Sequence, residues 1–119
     1  MSYDLGLKDP ATNEWMELDN NHHMKGGTYC LGGSTTAEIN ITYNYSAHYD
    51  KVFETTSGIR SIYGKTGVES MPIITRAISL LGDDVSNNYW EPTEGNAKKA
   101  LIHCLALAKL CPDGIWDGD

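Results

Sequence analysis

From Ala37 to Tyr45 apolar and polar positions alternate. Ala37, Ile39, Ile41, Tyr43 and Tyr45 fall on one face of an extended chain, and Glu38, Asn40, Thr42 and Asn44 on the other. Successive strand side chains point to opposite faces, so this stretch predicts a half-buried strand. Ser2–Lys8 alternates in the same way, with Tyr3, Leu5 and Leu7 on one side. The turn residues Asp9 to Asn13 follow, and Glu14–Leu18 predicts a second strand that pairs back as a hairpin. Between Asp19 and Ser34 the periodicity breaks. Two Gly-Gly pairs, at 26–27 and 32–33, predict a long loop with a short strand at Thr28–Leu31 inside it. A loop of that length in a compact domain is a candidate binding loop or lid, or else a connector.

Helical spacing takes over after Tyr45. Ser46 reads as an N-cap for a helix over Ala47–Thr55, and Ile59–Tyr63 as a helical turn. Thr66 and Glu69 have capping-box spacing, Pro72 is placed in the first turn, and Ile73, Ile74, Ala77, Ile78, Leu80 and Leu81 form a stripe ended by Gly82. The third helix starts at Pro92 or Thr93 and stops at Pro112. It is apolar nearly all round, so it reads as a core helix lying on the Ile39/Ile41 face. Trp116, in the tail, should fold back onto the body. These elements predict an α+β fold: a small, mainly antiparallel sheet with two or three helices packed on one face. The 119 residues fit a single domain spanning 1–119.

Charge changes the picture of partners. The net charge of −7 opposes general nucleic-acid binding, which needs lysine and arginine to neutralise phosphates. It leaves room for a pocket that holds one small anion, and for an acidic surface that docks on a basic protein. Cys30, Cys104 and Cys111 make an odd count without paired spacing, which points to a reducing cytoplasm rather than a disulfide scaffold. Met1–Leu7 lacks a basic start and a long apolar run, and no apolar stretch has the length of a membrane span. A subunit this small makes a deep pocket most easily between copies, so a homo-oligomer is expected.

Candidate chemistry divides three ways. No HxxxH or CxxC spacing marks a metal site. His22 and His23 are adjacent and point apart unless the loop is bent, and His103 reads as a core histidine. Cys30, with His22 and His23 upstream, is the candidate set for a small hydrolase. Asn40, Thr42 and Asn44 are a row of donors and acceptors that either reads a ligand or satisfies neighbouring loops. Tyr45, Tyr89 and Trp90 offer aromatic faces. Asn96, Lys98 and Lys99 stand in the first turns of the third helix, where free N–H groups and the dipole favour an anion. With His23, Lys25 and Thr28 from the glycine loop, these are the parts of a nucleotide-type pocket. The expectation is a non-catalytic binder of a small anionic, nucleotide-like ligand through His23, Lys25, Thr28, Asn40, Thr42, Asn44, Tyr45, Tyr89, Trp90, Asn96 and Lys99, with no cofactor. An inhibitor that docks on a basic partner protein through its acidic surface and a small hydrolase are the alternatives.

Taken together, HHMKGGTY, INITYNYS, GIRSIYGKTG, YWEPTEGNAKKAL and PDGIWDGD resemble small proteins of phages and prophages. The resemblance covers most of the chain and rests on overall pattern rather than a catalytic motif, so it transfers no active site. It implies a phage-encoded protein of the host cytoplasm, of the kind that acts as a counter-defence factor by sequestering a nucleotide signal or by inhibiting a host protein.

Overall fold

A computed structural model describes residues 2–24, 26, 34–88 and 90–119. The expected strand at Thr28–Leu31, the site candidates Lys25, Thr28 and Tyr89, and Cys30 lie outside the described residues. Strand β1 (Ser2–Lys8) is the middle of a three-stranded antiparallel sheet, flanked by β4 (Glu38–Thr42) and β5 (Ile115–Gly118). β2 (Glu17–His22) and β3 (Ser34–Thr36) form a separate two-stranded antiparallel sheet. The helices are α1 (Ser46–Val52), α2 (Gly67–Ser79) and α3 (Glu94–Leu110), with 3₁₀ turns at Tyr43–Tyr45 and Gly58–Ile62. The architecture is α+β. No helix among the described residues is long and apolar enough to cross a membrane.

Register explains the core. Tyr3 faces Ile41, Leu5 faces Ile39 and Leu7 faces Trp116 across the ladders. Opposed residues of an antiparallel pair share a face, so one side of the sheet is apolar, and all six side chains are buried. α3 contributes Ala97, Ala100, Leu101, Cys104, Leu107 and Ala108 to the same core, and α2 contributes Ile74 and Ala77. The two helices approach closely at Gly67: a Cβ there would stand 2.5 Å from the Cys111 carbonyl oxygen and 2.9 Å from that of Ala108. Gly67→Ala forces backbone atoms apart and should destabilise by about 1–3 kcal/mol, the usual penalty of overpacking; urea denaturation measures it.

Several boundaries differ from the expectation. The central strand ends at Thr42, not Tyr45, because the Thr42 hydroxyl accepts from the Asn44 N–H and caps a 3₁₀ turn that leads into α1. Tyr43 therefore packs edge-on against Tyr3, at 4.6 Å between ring centroids, while Tyr45 and Tyr49 meet edge to face at 6.2 Å in the core. Ser46 is the first residue of α1 rather than its cap, and the helix ends early, before Glu54 at φ 57°. The hairpin partner of β1 shrinks to a bridge between Lys8 and Trp15, and the following residues pair with β3 instead. The Thr66–Glu69 capping box forms. Pro72, however, sits in the second turn, on the exposed side, where it removes one i→i−4 hydrogen bond from the helix. Leu80 and Leu81 close α2 with 3₁₀ hydrogen bonds, so Gly82 is not needed in a left-handed conformation. α3 is less enclosed than its composition implies, since Lys99, Ile102, Lys109 and Leu110 are exposed.

The tail does fold back, and as a strand. Trp116 is fully buried, and its Nε1–H donates to the Ser70 hydroxyl at 2.8 Å.

Candidate functional site

α3 begins where the Thr93 hydroxyl accepts from the Asn96 N–H. Three and four residues apart along a helix share a face, so Asn96, Lys99, Ala100 and His103 line one side of a cavity of about 330 Å³. The opposite walls come from His23 and Gly26, from Tyr45, and from Val85, Ser86 and Asn87 in the loop between α2 and α3.

Each wall has an identifiable cause. His22 is buried and bent inward: its Nδ1 accepts from the Met24 N–H at 3.2 Å, so its Nε2–H donates to the Thr36 carbonyl at 2.7 Å. The neighbouring His23 is left exposed and facing the cavity. Gly26 is pinned to β4 by its N–H to the Asn40 carbonyl at 2.9 Å and by its carbonyl, which accepts from the Thr42 N–H at 2.7 Å. A Cβ at Gly26 would lie 2.6 Å from Ile41 Cγ1 and 2.8 Å from Ala100 Cβ, so only glycine lets the chain lie against the floor.

The loop wall is held by α3 itself. Asn96 Oδ1 accepts from the Ser86 N–H at 3.1 Å, and its Nδ2 donates to the carbonyls of Asn88 and Glu91 at 3.2 and 3.1 Å. The Asp84 carboxylate accepts from the Gly95 N–H, and Lys98 pairs with Asp83 at 2.6 Å. Asn44 and His48 add bonds to the carbonyls of Trp90 and Pro92. Asn96→Ala removes three bonds at once. It should lower stability by about 1–3 kcal/mol, the penalty for buried groups left unpaired, and should also weaken any ligand held against Ser86 and Asn87. Thermal unfolding with and without ligand measures both effects.

Of the expected site residues, His23, Tyr45, Asn96 and Lys99 come together here. Asn96 acts on the loop, not outward. Asn40 points away, its amide donating to Ser2 and to the Asp4 carboxylate. Thr42 is buried as a cap, and Asn44 and the half-exposed Trp90 meet each other through the Trp90 carbonyl. The helix start is also occupied by the chain's own groups, Asp84 and Thr93, so the cationic part of the cavity lies one turn further along α3. His103 is half-buried and lines the cavity, which corrects its reading as a core histidine; the i, i+3, i+7 spacing of Asn96, Lys99 and His103 carried that signal.

The electrostatics are one-sided. Among the described residues no aspartate or glutamate lines the cavity, whereas Lys99, His23 and His103 do. Among the described residues Lys99 makes no ion pair, although Lys8, Arg76 and Lys98 each hold a carboxylate. Neither described cysteine reaches the cavity. Burial pushes the Cys104 thiol up to about 12 and raises that of Cys111, and a thiol held protonated is a poor nucleophile. Native protein at pH 8 should leave Cys104 unmodified by iodoacetamide until denaturant is added, as peptide mass spectrometry would read. No group of three or more His, Cys, Asp or Glu among the described residues is placed to hold a metal ion. No protein-family model, curated protein or solved structure matches the chain.

Proposed function

We propose that the protein binds a small anionic, nucleotide-like ligand in the cavity between α3, the α2–α3 loop and the segment after β2. The observation that carries this reading is the lining: Lys99, His23 and His103, without a carboxylate among the described residues, in a chain of net charge −7. An ammonium with no ion pair among the described residues has a direct use against a ligand anion. Tyr45, Val85 and Ala100 supply the apolar part of the lining, which suits a base or another flat ring.

Size narrows the class. At about 330 Å³ the cavity stands at the low end of small-molecule sites, which run from roughly 300 to 1,000 Å³. It suits a mononucleotide unit. The acidic chain as a whole repels a polynucleotide. Sequestration of a nucleotide signal, the role implied by the phage-type resemblance, is compatible with such a site.

Thermal shift against nucleosides, nucleoside 5′-monophosphates and inorganic phosphate tests the reading. A monophosphate should raise the melting temperature in a concentration-dependent way. The matching nucleoside should bind at least about tenfold more weakly, a difference of about 1.4 kcal/mol. Equal binding of nucleoside and monophosphate, or none of either, would overturn it.

A further inference from the structure

We propose that the same cavity cleaves a short ribonucleotide phosphodiester, one of His23 and His103 taking a proton from the attacking hydroxyl and the other giving one to the leaving oxygen, with Lys99 holding the phosphate. This rests on the reading of the cavity as a nucleotide-type anion site. Two imidazoles reach it from separate parts of the chain, His23 from the segment after β2 and His103 from α3. Lys99 stands one helical turn before His103 on the same face. Imidazole is the one side chain whose ordinary titration lets it both accept and give a proton near neutrality. Two imidazoles and an ammonium around one anion are the groups an internal transesterification needs.

The step balances without a co-reactant. One imidazole, neutral, takes the proton of the ribose 2′-hydroxyl as O2′ forms a bond to phosphorus. The P–O5′ bond breaks, and the other imidazole, protonated, gives its proton to the departing O5′. Lys99 pairs with the non-bridging oxygens as charge builds on them. The products are a 2′,3′-cyclic phosphate and a free 5′-hydroxyl. The imidazoles end with exchanged protonation states and reset through solvent. The net charge of −7 limits the substrate to short chains, of which a 3′,5′-linked ribodinucleotide is the smallest.

The test uses ribodinucleotides and their 2′-deoxy analogues, which can bind but cannot react. Chromatography with mass spectrometry reads the cyclic phosphate, and thermal shift reads binding. We expect turnover of the ribo form alone. His23→Ala, His103→Ala and His103→Gln should each lower the rate by about 10²–10⁴-fold, with binding of the deoxy analogue retained within about tenfold. His103→Gln, which keeps a hydrogen-bonding side chain, guards against loss of folding in the alanine variant. If the deoxy analogue binds and the ribo form is returned intact, the catalytic proposal falls and the binding reading stands. If neither form binds, both fall. Cleavage undiminished in all the histidine variants would overturn the assignment to this cavity.

Discussion

Trp116→Ala should lower the unfolding free energy by about 3–5 kcal/mol, the range for truncating a large buried aromatic. The indole is completely buried. Its strand pairs with β1, with Trp116 opposite Leu7, and its ring reaches α2 through the Ser70 hydroxyl. Truncation opens a void between sheet and helix and removes a donor from Ser70. Ser70 still donates to the Gly67 carbonyl at 2.8 Å, so Trp116→Phe, which fills most of the void, should cost much less, about 1–2 kcal/mol. Against the 5–15 kcal/mol that holds a typical domain together, the alanine variant should be near its folding limit. Urea denaturation gives both values. A loss of unfolding free energy below about 1 kcal/mol for Trp116→Ala would mean that the tail is not docked as described.

Lys99→Glu should abolish binding of a nucleoside monophosphate, by at least about 100-fold, and leave stability almost unchanged. A hydrogen bond to a charged group contributes about 1.5–3 kcal/mol, and reversal adds repulsion to its loss. The side chain is exposed, and its removal breaks no ion pair among the described residues; surface changes of that kind stay within about 0.5 kcal/mol. Lys109→Glu is the control: it makes the same charge change on the same helix, at an exposed position outside the cavity lining. Isothermal titration should separate the two. Equal weakening by both would indicate that net charge, not this cavity, governs binding.

Local signals carried most of the fold. The alternation in Ser2–Lys8 and the Thr66–Glu69 box each depend on residues a few positions apart, and each stands where its spacing places it. What failed was non-local. Nothing near Glu17 announces that it pairs with Thr36 rather than with β1, and four residues around Trp116 are too few for periodicity to reveal a strand. The Ala37–Tyr45 alternation was real only as far as Thr42, where a side-chain cap offered the backbone a turn that competes with the ladder.

The site was legible in part for the same reason. His23, Tyr45 and Lys99 were recognisable as ligand-type residues, but residue type does not say which way a side chain faces. The polar row Asn40, Thr42 and Asn44 serves Ser2 and Asp4, the 3₁₀ turn and the Trp90 carbonyl. Asn96 serves the loop. Each amide satisfies nearby backbone or side-chain groups, the commonest use of a partly buried amide. Ser86 and Asn87 enter the wall because Asn96, with Gly95 and Lys98 of the same helix, draws their loop down, a tertiary effect with no signature in the loop's own composition.

Backbone amide shift mapping by two-dimensional ¹⁵N NMR, with nucleoside 5′-monophosphates titrated into the protein, tests the anion cavity most directly. The account predicts changes concentrated at Gly26, Tyr45, Ser86, Asn87, Lys99 and His103, and their loss in Lys99→Glu. Changes centred instead on Ser2, Asp4 and Asn40, or an unaltered spectrum at millimolar ligand, would contradict it.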